Sequence, residues 1–205
     1  FELLAMKDKS FNIITVNSLN CSVGNRIILD DISFSAKKGD VILITGPNGI
    51  GKSTLLKTIL GFLPILKGKI LINEKDYTND PGTRQETLNY IGHTNALQDD
   101  FTISENLGYW KNFFSSSKVD ISQIMEFWEL PNSRLSNCSE GQKKKTALAR
   151  LSLIGRKIWL LDEPSANLDL VGQNKLMQLL KKHRVEGGIA IISTHNPKLF
   201  QTKKI

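Results

Sequence analysis

The sequence predicts an α/β protein with an antiparallel β subdomain and an inserted helical subdomain. Apolar runs rich in β-branched residues, typical of buried parallel strands, alternate with helical patterns near both ends of the chain. An alternating stretch with a turn lies near the start, and the middle shows little β character. We therefore expect a single domain over 1–205, in which 1–93 and 152–205 form the α/β core with the β subdomain and 94–151 form the helical subdomain.

The first part of the chain predicts a hairpin, a strand, a helix and two further strands. Alternation over Phe11–Ile32, with a turn at "SVGNR", favours an antiparallel hairpin. The apolar run Asp40–Thr45 predicts a buried strand, and Ser53–Gly61 predicts a helix that ends at its glycine. Short apolar runs then predict strands at Lys67–Asn73 and Leu88–His93.

The middle of the chain, Asn95–Leu151, predicts helices. "SENLGYWKNFF" and "DISQIMEFWEL" carry large apolar residues at helical spacing, and Pro131 is expected to end the second stretch. We expect the aromatic side chains of these stretches to pack in the core. They are Trp110, Phe113, Phe114, Phe127 and Trp128.

The last part returns to the α/β pattern. Lys157–Glu163 predicts a buried strand that ends in two acids, and "VGQNKLMQLLKKHR" predicts an amphipathic helix. Ile189–His195 predicts a final buried strand that ends in a histidine.

Composition limits the classes of function. The formal charge is +7, and the run Lys143–Lys145 is expected on a solvated basic surface; attraction to an anionic membrane face is the alternative. No nucleic-acid fold signature accompanies this charge, so we expect no nucleic-acid partner. Cys21 and Cys138 lack metal-ligand spacing and are expected to be reduced thiols. No apolar run approaches the ~20 residues that a membrane helix needs.

The strand at Asp40–Thr45 and the following helix enclose a glycine-rich loop that predicts phosphate binding. Gly46, Gly51, Lys52 and Ser53 fit the pattern G-x-x-x-x-G-K-[ST]. In this pattern backbone N–H groups surround the phosphates, the lysine reaches the outer phosphates and the hydroxyl binds Mg²⁺. The predicted binding residues are Gly46, Pro47, Asn48, Gly49, Ile50, Gly51, Lys52, Ser53 and Thr54.

Two later strands are expected to bring catalytic groups to this loop. Asp162 and Glu163 end one apolar strand, and ligands bind at strand ends in open α/β sheets. Asp162 suits the metal, and Glu163 suits the attacking water. His195 ends the last strand and is a candidate sensor of the terminal phosphate, although a lone histidine is more often structural.

A second phosphate-binding loop is predicted just before a helix at "LSNCSEGQKKKTALARL". Ser139, Gly141 and Gln142 would offer a hydroxyl and backbone N–H groups at a helix N-terminus. Because one small domain needs a single such loop for one nucleotide, we expect the second loop to serve a partner copy. Two-fold pairing would then close two sites at once.

Taken in order, these motifs resemble those of the ABC ATPases, the nucleotide-binding subunits of ATP-binding cassette transporters. The matching stretches are "GPNGIGKST", the signature "CSEGQ", "IWLLDEP", the D-loop "SANLD" and "STHN". The resemblance implies the P-loop NTPase fold of that family, with ATP and Mg²⁺ as cofactors. It also implies a head-to-tail homodimer that sandwiches ATP and drives a separate transmembrane permease, with the chain peripheral to the cytoplasmic face of the inner membrane.

Within this family the chain is most similar to the ATP-binding subunits of the haem exporters of cytochrome c biogenesis. The short chain and the stretches "YIGHTNALQDDFTISENL", "GQKKKTALARLSL" and "EGGIAIISTHNP" carry this resemblance. The docking groove for the permease is expected along the loop His93–Phe101. Two alternatives stay open: a soluble ABC ATPase that acts on ribosomes or nucleic acid, and a degenerate cassette that hydrolyses ATP poorly.

Three departures from the family pattern bear on these alternatives. Cys138 and Glu140 replace a leucine and a glycine of the signature, and the added acid should weaken phosphate binding unless it points away. Thr94, or His93 by ungapped counting, stands where the family has a catalytic glutamine. We assign the role to Thr94, with a shorter reach. Val23 stands where an aromatic residue usually stacks on adenine.

Overall fold

A computed structural model describes residues 13–114 and 119–200 of the chain. Its strands are β1 (Ile13–Val23), β2 (Arg26–Lys37), β3 (Val41–Ile44), β4 (Lys67–Ile72), β5 (Lys75–Asp76), β6 (Leu88–Ile91), β7 (Ile158–Asp162) and β8 (Ile189–Ser193). Its α-helices are α1 (Lys52–Leu60), α2 (Pro81–Thr87), α3 (Ile103–Phe114), α4 (Ile121–Trp128), α5 (Glu140–Ala149), α6 (Leu170–Val185) and α7 (Pro197–Phe200).

The strands form two four-stranded sheets. The antiparallel sheet has the order β2-β1-β4-β5, and the parallel sheet has the order β3-β8-β7-β6. Helices α3, α4 and α5 lie between β6 and β7 in the chain, yet these two strands are hydrogen-bonded neighbours in the parallel sheet. The structure therefore has the α/β core, the antiparallel part and the helical part that the sequence predicts.

The central strands β7 and β8 of the parallel sheet are buried on both faces, and this explains their continuous apolar runs. On β7, Ile158 and Leu160 pack with α1 and the antiparallel sheet. Trp159 and Leu161 point to the opposite face and pack with the helical subdomain. Because successive side chains of a strand alternate, one five-residue strand contributes to two separate cores.

Helix α1 is bounded by two glycines in the left-handed conformation. Gly51 precedes it with φ 107°, and a Cβ there would lie 2.9 Å from Cγ2 of Ile28. Gly61 follows it with φ 96° and donates its N–H to the carbonyls of Lys57 and Thr58. The predicted stop at Gly61 is confirmed, and Gly51 is the glycine at which the phosphate loop joins α1.

Helix α2 is not predicted by the sequence pattern. Asp80 caps it by accepting a hydrogen bond from the N–H of Thr83 at 2.9 Å, and Pro81 occupies its first turn. Its single buried side chain is Arg84, whose Nη1 donates to the carbonyls of Thr58 and Ile59 at 2.9 and 3.4 Å. Arg84 therefore holds the C-terminus of α1 from outside the helix, where a cation also suits the helix dipole.

The predicted end of α4 and part of the aromatic prediction are wrong. The helix ends before Pro131, because Glu129 adopts a left-handed conformation with φ 52° directly after Trp128. Trp128 is fully buried, as predicted, but Phe113 and Phe127 are 66% and 36% exposed. Phe113 stands on the outer side of α3, where it contacts other aromatic rings instead of the core.

Replacing Arg84 tests its role in holding α1. Arg84→Met should lower the free energy of unfolding by about 1–3 kcal/mol, because two carbonyls at the end of α1 lose a charged donor. Urea unfolding followed by circular dichroism measures this change. Lys69→Met is the matched control. Lys69 is exposed, and its Nζ is as far as 3.9 Å from the carboxylate of Asp76, so the loss of this weak pair should cost less than about 0.5 kcal/mol. Equal costs for the two variants would contradict the role of Arg84.

Candidate active site

A cavity of about 570 Å³ opens at the carboxyl edge of the parallel sheet. The loops that follow β3, β6, β7 and β8 all reach it, as expected for ligand sites in open α/β sheets. Its lining residues are Val23, Ile28, Asn48, Gly49, Gly51, Lys52, Ser53, Thr54, His93, Asp162, Glu163, Ala166 and His195. The structure thus brings the glycine-rich loop together with the acids and the histidine that the sequence singles out.

Lys52 lies folded over the phosphate loop. Its Nζ is 2.9 Å from the carbonyl of Gly46, 3.1 Å from that of Pro47 and 3.2 Å from Nε2 of His195. An ammonium group only donates, so Nε2 is the acceptor in this arrangement and the imidazole carries its proton on Nδ1. All the donors of Lys52 are therefore held close to the place where phosphates would lie.

Glu163 is held in a conformation that few residues other than glycine adopt. Its φ is 47°, and its N–H donates to the carbonyl of Ser193 at 3.2 Å. Its Oε2 accepts from the N–H of His195 at 3.3 Å. Its Oε1 is buried without a hydrogen bond and lies 3.3 Å from Nε2 of His195, which already accepts from Lys52. A buried carboxylate oxygen without a donor is suited to accept a hydrogen bond from a water molecule.

Asp162 is buried at the end of β7 and shares the cavity with Ser53. Its Oδ1 accepts a hydrogen bond from the hydroxyl of Ser193 at 2.5 Å. A carboxylate and a hydroxyl are oxygen ligands of the kind that Mg²⁺ prefers, and Mg²⁺ usually takes only one or two carboxylates and completes its shell with water and phosphate oxygens. The two side chains therefore fit a Mg²⁺ ion bound together with a nucleotide.

The cavity is lined by His93, and Thr94 is not among the residues that line it. Both side chains are exposed after β6. His93 and Thr94 are the two positions that the sequence offers for the family's glutamine, and His93 is the one that lines the cavity. Val23 lines the cavity and is 51% exposed, at the place expected for an adenine-stacking residue.

The second predicted loop caps α5 but does not line this cavity. The hydroxyl of Ser139 accepts from the N–H of Gln142 at 3.3 Å, and Oε1 of Gln142 accepts from the N–H of Ser139 at 2.9 Å. Gly141 lies so near the D-loop that a Cβ would be 2.9 Å from the carbonyl of Asn167. Within the described part of the chain, Ser139, Gly141 and Gln142 are thus not part of the site formed by Lys52 and Glu163.

The two substitutions in the signature have structural explanations. The side chain of Glu140 is 68% exposed and lies 3.4 Å from Nζ of Lys143, which partly offsets its charge. Cys138 is buried, with Sγ 3.3 Å from the hydroxyl of Ser133 and 3.4 Å from the carbonyl of Arg134. Cys138 therefore fills a packed position, and both cysteines are unpaired thiols, as predicted.

The prediction that Lys143–Lys145 is a solvated run is wrong for two of its members. Lys144 and Lys145 are buried, because α5 packs against the core around much of its circumference. Burial lowers the pKa of Lys144 to about 8, although the charges of Asp162 and Glu163 favour its protonated form. Lys145 pairs with Asp169 at 3.1 Å. The triple lysine run gives no sequence signal for this burial.

A second cavity, of about 460 Å³, lies at the amino edge of the parallel sheet. His183 stacks on Trp159 beside it, with ring centroids 3.5 Å apart. Burial lowers the pKa of His183 to about 4, so the imidazole is neutral at physiological pH. The predicted site residues do not line this cavity. No described helix is both long and apolar enough to span a bilayer.

Comparisons with known proteins agree with this geometry. A family model described as ABC transporter matches residues 29–166. A protein of Wolbachia pipientis is 33% identical over 186 residues, covering 90% of both chains. A protein of Nitrobacter winogradskyi is 36% identical over 188 residues, covering 88% of this chain and 90% of the relative. Both are named cytochrome c biogenesis ATP-binding export protein CcmA.

Solved structures show the same fold. An ATP-binding protein of an ABC transporter from Pyrococcus furiosus superposes with a TM-score of 0.76 at 27% identity, covering 89% of this chain and 90% of that chain. A dimeric ATP-binding cassette bound to ADP and phosphate superposes with a TM-score of 0.78 at 23% identity, covering 91% and 89%.

The predicted fold and family are therefore confirmed by sequence and structure together. The family model covers more than half of the chain, and the relatives cover about nine-tenths of it. The chain belongs to the ABC transporter ATP-binding family, as an ATPase cassette homologous to the cytochrome c biogenesis ATP-binding export proteins.

Proposed function

We propose that this cassette hydrolyses ATP with Mg²⁺ to drive an export complex of cytochrome c biogenesis, with haem as the exported group. The observation that carries the catalytic part is the buried, unpaired Oε1 of Glu163 in one cavity with Lys52 and Asp162. The relatives' names, which include cytochrome c biogenesis and export, support the pathway.

Different residues bind the phosphates, orient the attacking water and sense the terminal phosphate. Residues Gly46 to Thr54 bind the phosphates, and Lys52 exchanges its loop carbonyls for phosphate oxygens. Oε1 of Glu163 accepts a hydrogen bond from water and orients it toward the terminal phosphorus, so that the P–O bond to ADP breaks and phosphate and a proton are released. His195, beside both residues, senses the terminal phosphate.

Ser53 and Asp162 would hold the metal ion. Mg²⁺, when bound, would offset the negative charge on the phosphate oxygens. The hydroxyl of Ser193 keeps the carboxylate of Asp162 in place, which leaves its other oxygen for the ion or its water.

A homodimer completes the site. The signature loop caps α5 away from the cavity of its own chain, so Ser139, Gly141 and Gln142 are free to contact the ATP bound to a second copy. Ile50 in the phosphate loop and Leu170 after the D-loop are 58% and 78% exposed, which suits a surface that closes against another copy. Two-fold pairing would then close two ATP sites.

A separate transmembrane permease would receive the motion. We place the cassette peripherally at the cytoplasmic face of the inner membrane, without a nucleic-acid partner, and its docking surface along the loop 93–101. Ala96 and Phe101 are exposed there, and Leu97 is half-buried. Asp99 and Asp100 are exposed beside them and would favour a basic residue on a short partner helix.

Glu163→Gln tests the proposed hydrolysis. We expect kcat to fall at least about 100-fold, because an amide is a poor acceptor for the proton of water, while ATP affinity stays within about threefold. Phosphate release measures turnover, and light scattering measures ATP-dependent dimer formation. Glu126→Gln changes an exposed acid on α4 and should leave both values unaltered. Undiminished turnover in Glu163→Gln would refute the assignment.

Thr94→Gln tests the position of the missing glutamine. Thr94 is exposed, so a longer side chain displaces no buried atoms, and we expect ATPase activity to be retained or raised up to about tenfold. His93→Gln serves as the comparison, because His93 lines the cavity. A collapse of steady-state ATPase activity in Thr94→Gln alone would show that Thr94 itself is adapted to this site.

Charge reversal tests the docking surface. Asp99→Lys combined with Asp100→Lys should move most of the protein from the membrane fraction to the soluble fraction, because the two introduced lysines would repel the basic partner helix that the acids attract. ATP binding should stay within about twofold of the original value, since neither acid lines the cavity. Glu74→Lys with Glu126→Lys is the control, in which exposed acids elsewhere change by the same charge. Retention on membranes that lack any permease would instead indicate attachment of the basic surface to lipid.

A further inference from the structure

Asn106 is a buried amide on the core side of α3. Its exposed fraction is 2%, and Ile103 and Leu107 beside it are fully buried. A polar side chain in such a place lowers stability unless its donors and acceptors find partners. The hydrogen bonds of this amide therefore show what the asparagine contributes.

The side chain of Asn106 is bonded to the segment 98–102, where the proposed docking loop ends. Its Oδ1 accepts from the N–H of Gln98 at 2.8 Å, and its Nδ2 donates to the carbonyl of Gln98 at 3.0 Å. Nδ2 also lies 3.0 Å from the carbonyl of Thr102 and 3.5 Å from that of Phe101. One buried amide thus holds both ends of this segment.

The backbone of the same segment is bonded to the turn that precedes the signature. The N–H of Leu135 donates to the carbonyl of Phe101 at 2.9 Å, and the N–H of Ser136 donates to the carbonyl of Asp99 at 3.0 Å. The signature begins at Cys138, whose N–H donates to the carbonyl of Leu135 at 3.0 Å. A continuous set of hydrogen bonds therefore runs from the buried amide to the signature loop.

Further contacts keep the two segments together. Thr102 pairs with Arg134 in an isolated antiparallel bridge, and the N–H of Ile103 donates to the carbonyl of Ser133 at 3.0 Å. The side chain of Leu135 is buried beside them. Because these hydrogen bonds join backbone groups, the position of the segment 98–102 sets the position of the turn before the signature.

We infer that Asn106 is a positioning residue of the signature loop, which acts through the segment 98–102 on the ATP site that its chain completes in a second copy. This inference rests on the proposed function, in which Ser139, Gly141 and Gln142 contact the ATP bound to a partner chain. Asn106 is not among the described residues that line the cavity of its own chain. Its effect on hydrolysis should therefore be exerted across the dimer.

Asn106→Leu removes the amide and places an apolar side chain of similar size between Ile103 and Leu107. We expect kcat for ATP hydrolysis to fall about tenfold, because a displaced signature loop stabilises the transition state less well. The affinity for ATP should stay within about twofold, since the ATP cavity itself is unaltered. Phosphate release and the binding of fluorescent ATP measure these two values.

Asn112→Leu is the matched control, because it makes the same change at an exposed position of the same helix. It should leave both values unaltered. Circular dichroism shows whether each variant folds. If Asn106→Leu does not fold, Asn106→Ser makes a smaller change at the same place, and the fall in kcat is expected in the same direction.

Mixing two defective chains tests whether Asn106 acts across the dimer. Glu163→Gln is expected to be inactive in its own ATP site but keeps an intact signature loop. An excess of this chain should restore hydrolysis per Asn106→Leu chain to within about twofold of the parent value, because the mixed dimer joins an intact Glu163 to an intact signature. A chain that carries both changes is the control and should give no increase.

The outcomes separate this inference from the proposed function. If Asn106→Leu folds and hydrolyses ATP like the parent, the inference fails alone. It also fails alone if Glu163→Gln does not restore the activity of Asn106→Leu, or if the chain with both changes restores it equally. If the parent protein shows neither ATP hydrolysis nor ATP-dependent dimers in light scattering, the proposed function and the inference fail together.

Discussion

The parallel pairing of β7 with β8 is the constraint on which the site depends. It sets Asp162 opposite Ser193 and lets the N–H of Glu163 reach the carbonyl of the same serine. Residues about thirty positions apart in sequence are thereby fixed within one hydrogen bond of each other. Since both strands are buried on both faces, a shift by one residue would move apolar side chains between two different cores and would be strongly disfavoured.

Several polar groups of the site have backbone conformations or buried positions that lower the stability of the fold. Glu163 combines a left-handed backbone with a buried carboxylate oxygen that lacks a donor. Lys144 is buried near the same acids, and its charge offsets part of theirs. Conformations and desolvated groups of this kind each cost on the order of 1–3 kcal/mol, and they persist where the surrounding strands leave no alternative. The rigidity of the parallel sheet therefore allows these destabilising groups to be held at its carboxyl edge.

The sequence was sufficient to predict the sheet, the phosphate loop and the order of the site residues, because these depend on strand–loop–helix connections and on backbone groups. It was insufficient for α2, whose single buried side chain is Arg84, since a helix without an apolar stripe has no periodic signal. The burial of Lys144 was equally hidden in a run of lysines. His93 and Thr94 could not be separated by counting, because they are adjacent in the bend after β6 and a difference of one residue in loop length decides between them.

The close packing of Gly141 has a consequence for how this sequence can vary. A side chain at position 141 would press on the backbone carbonyl of Asn167, which cannot move without displacing the D-loop. Glu140, one residue earlier, extends into solvent and is paired with Lys143. A side chain therefore fits at the first glycine position of the signature but not at the second. An acid can replace the first glycine without disturbing the packing of the motif.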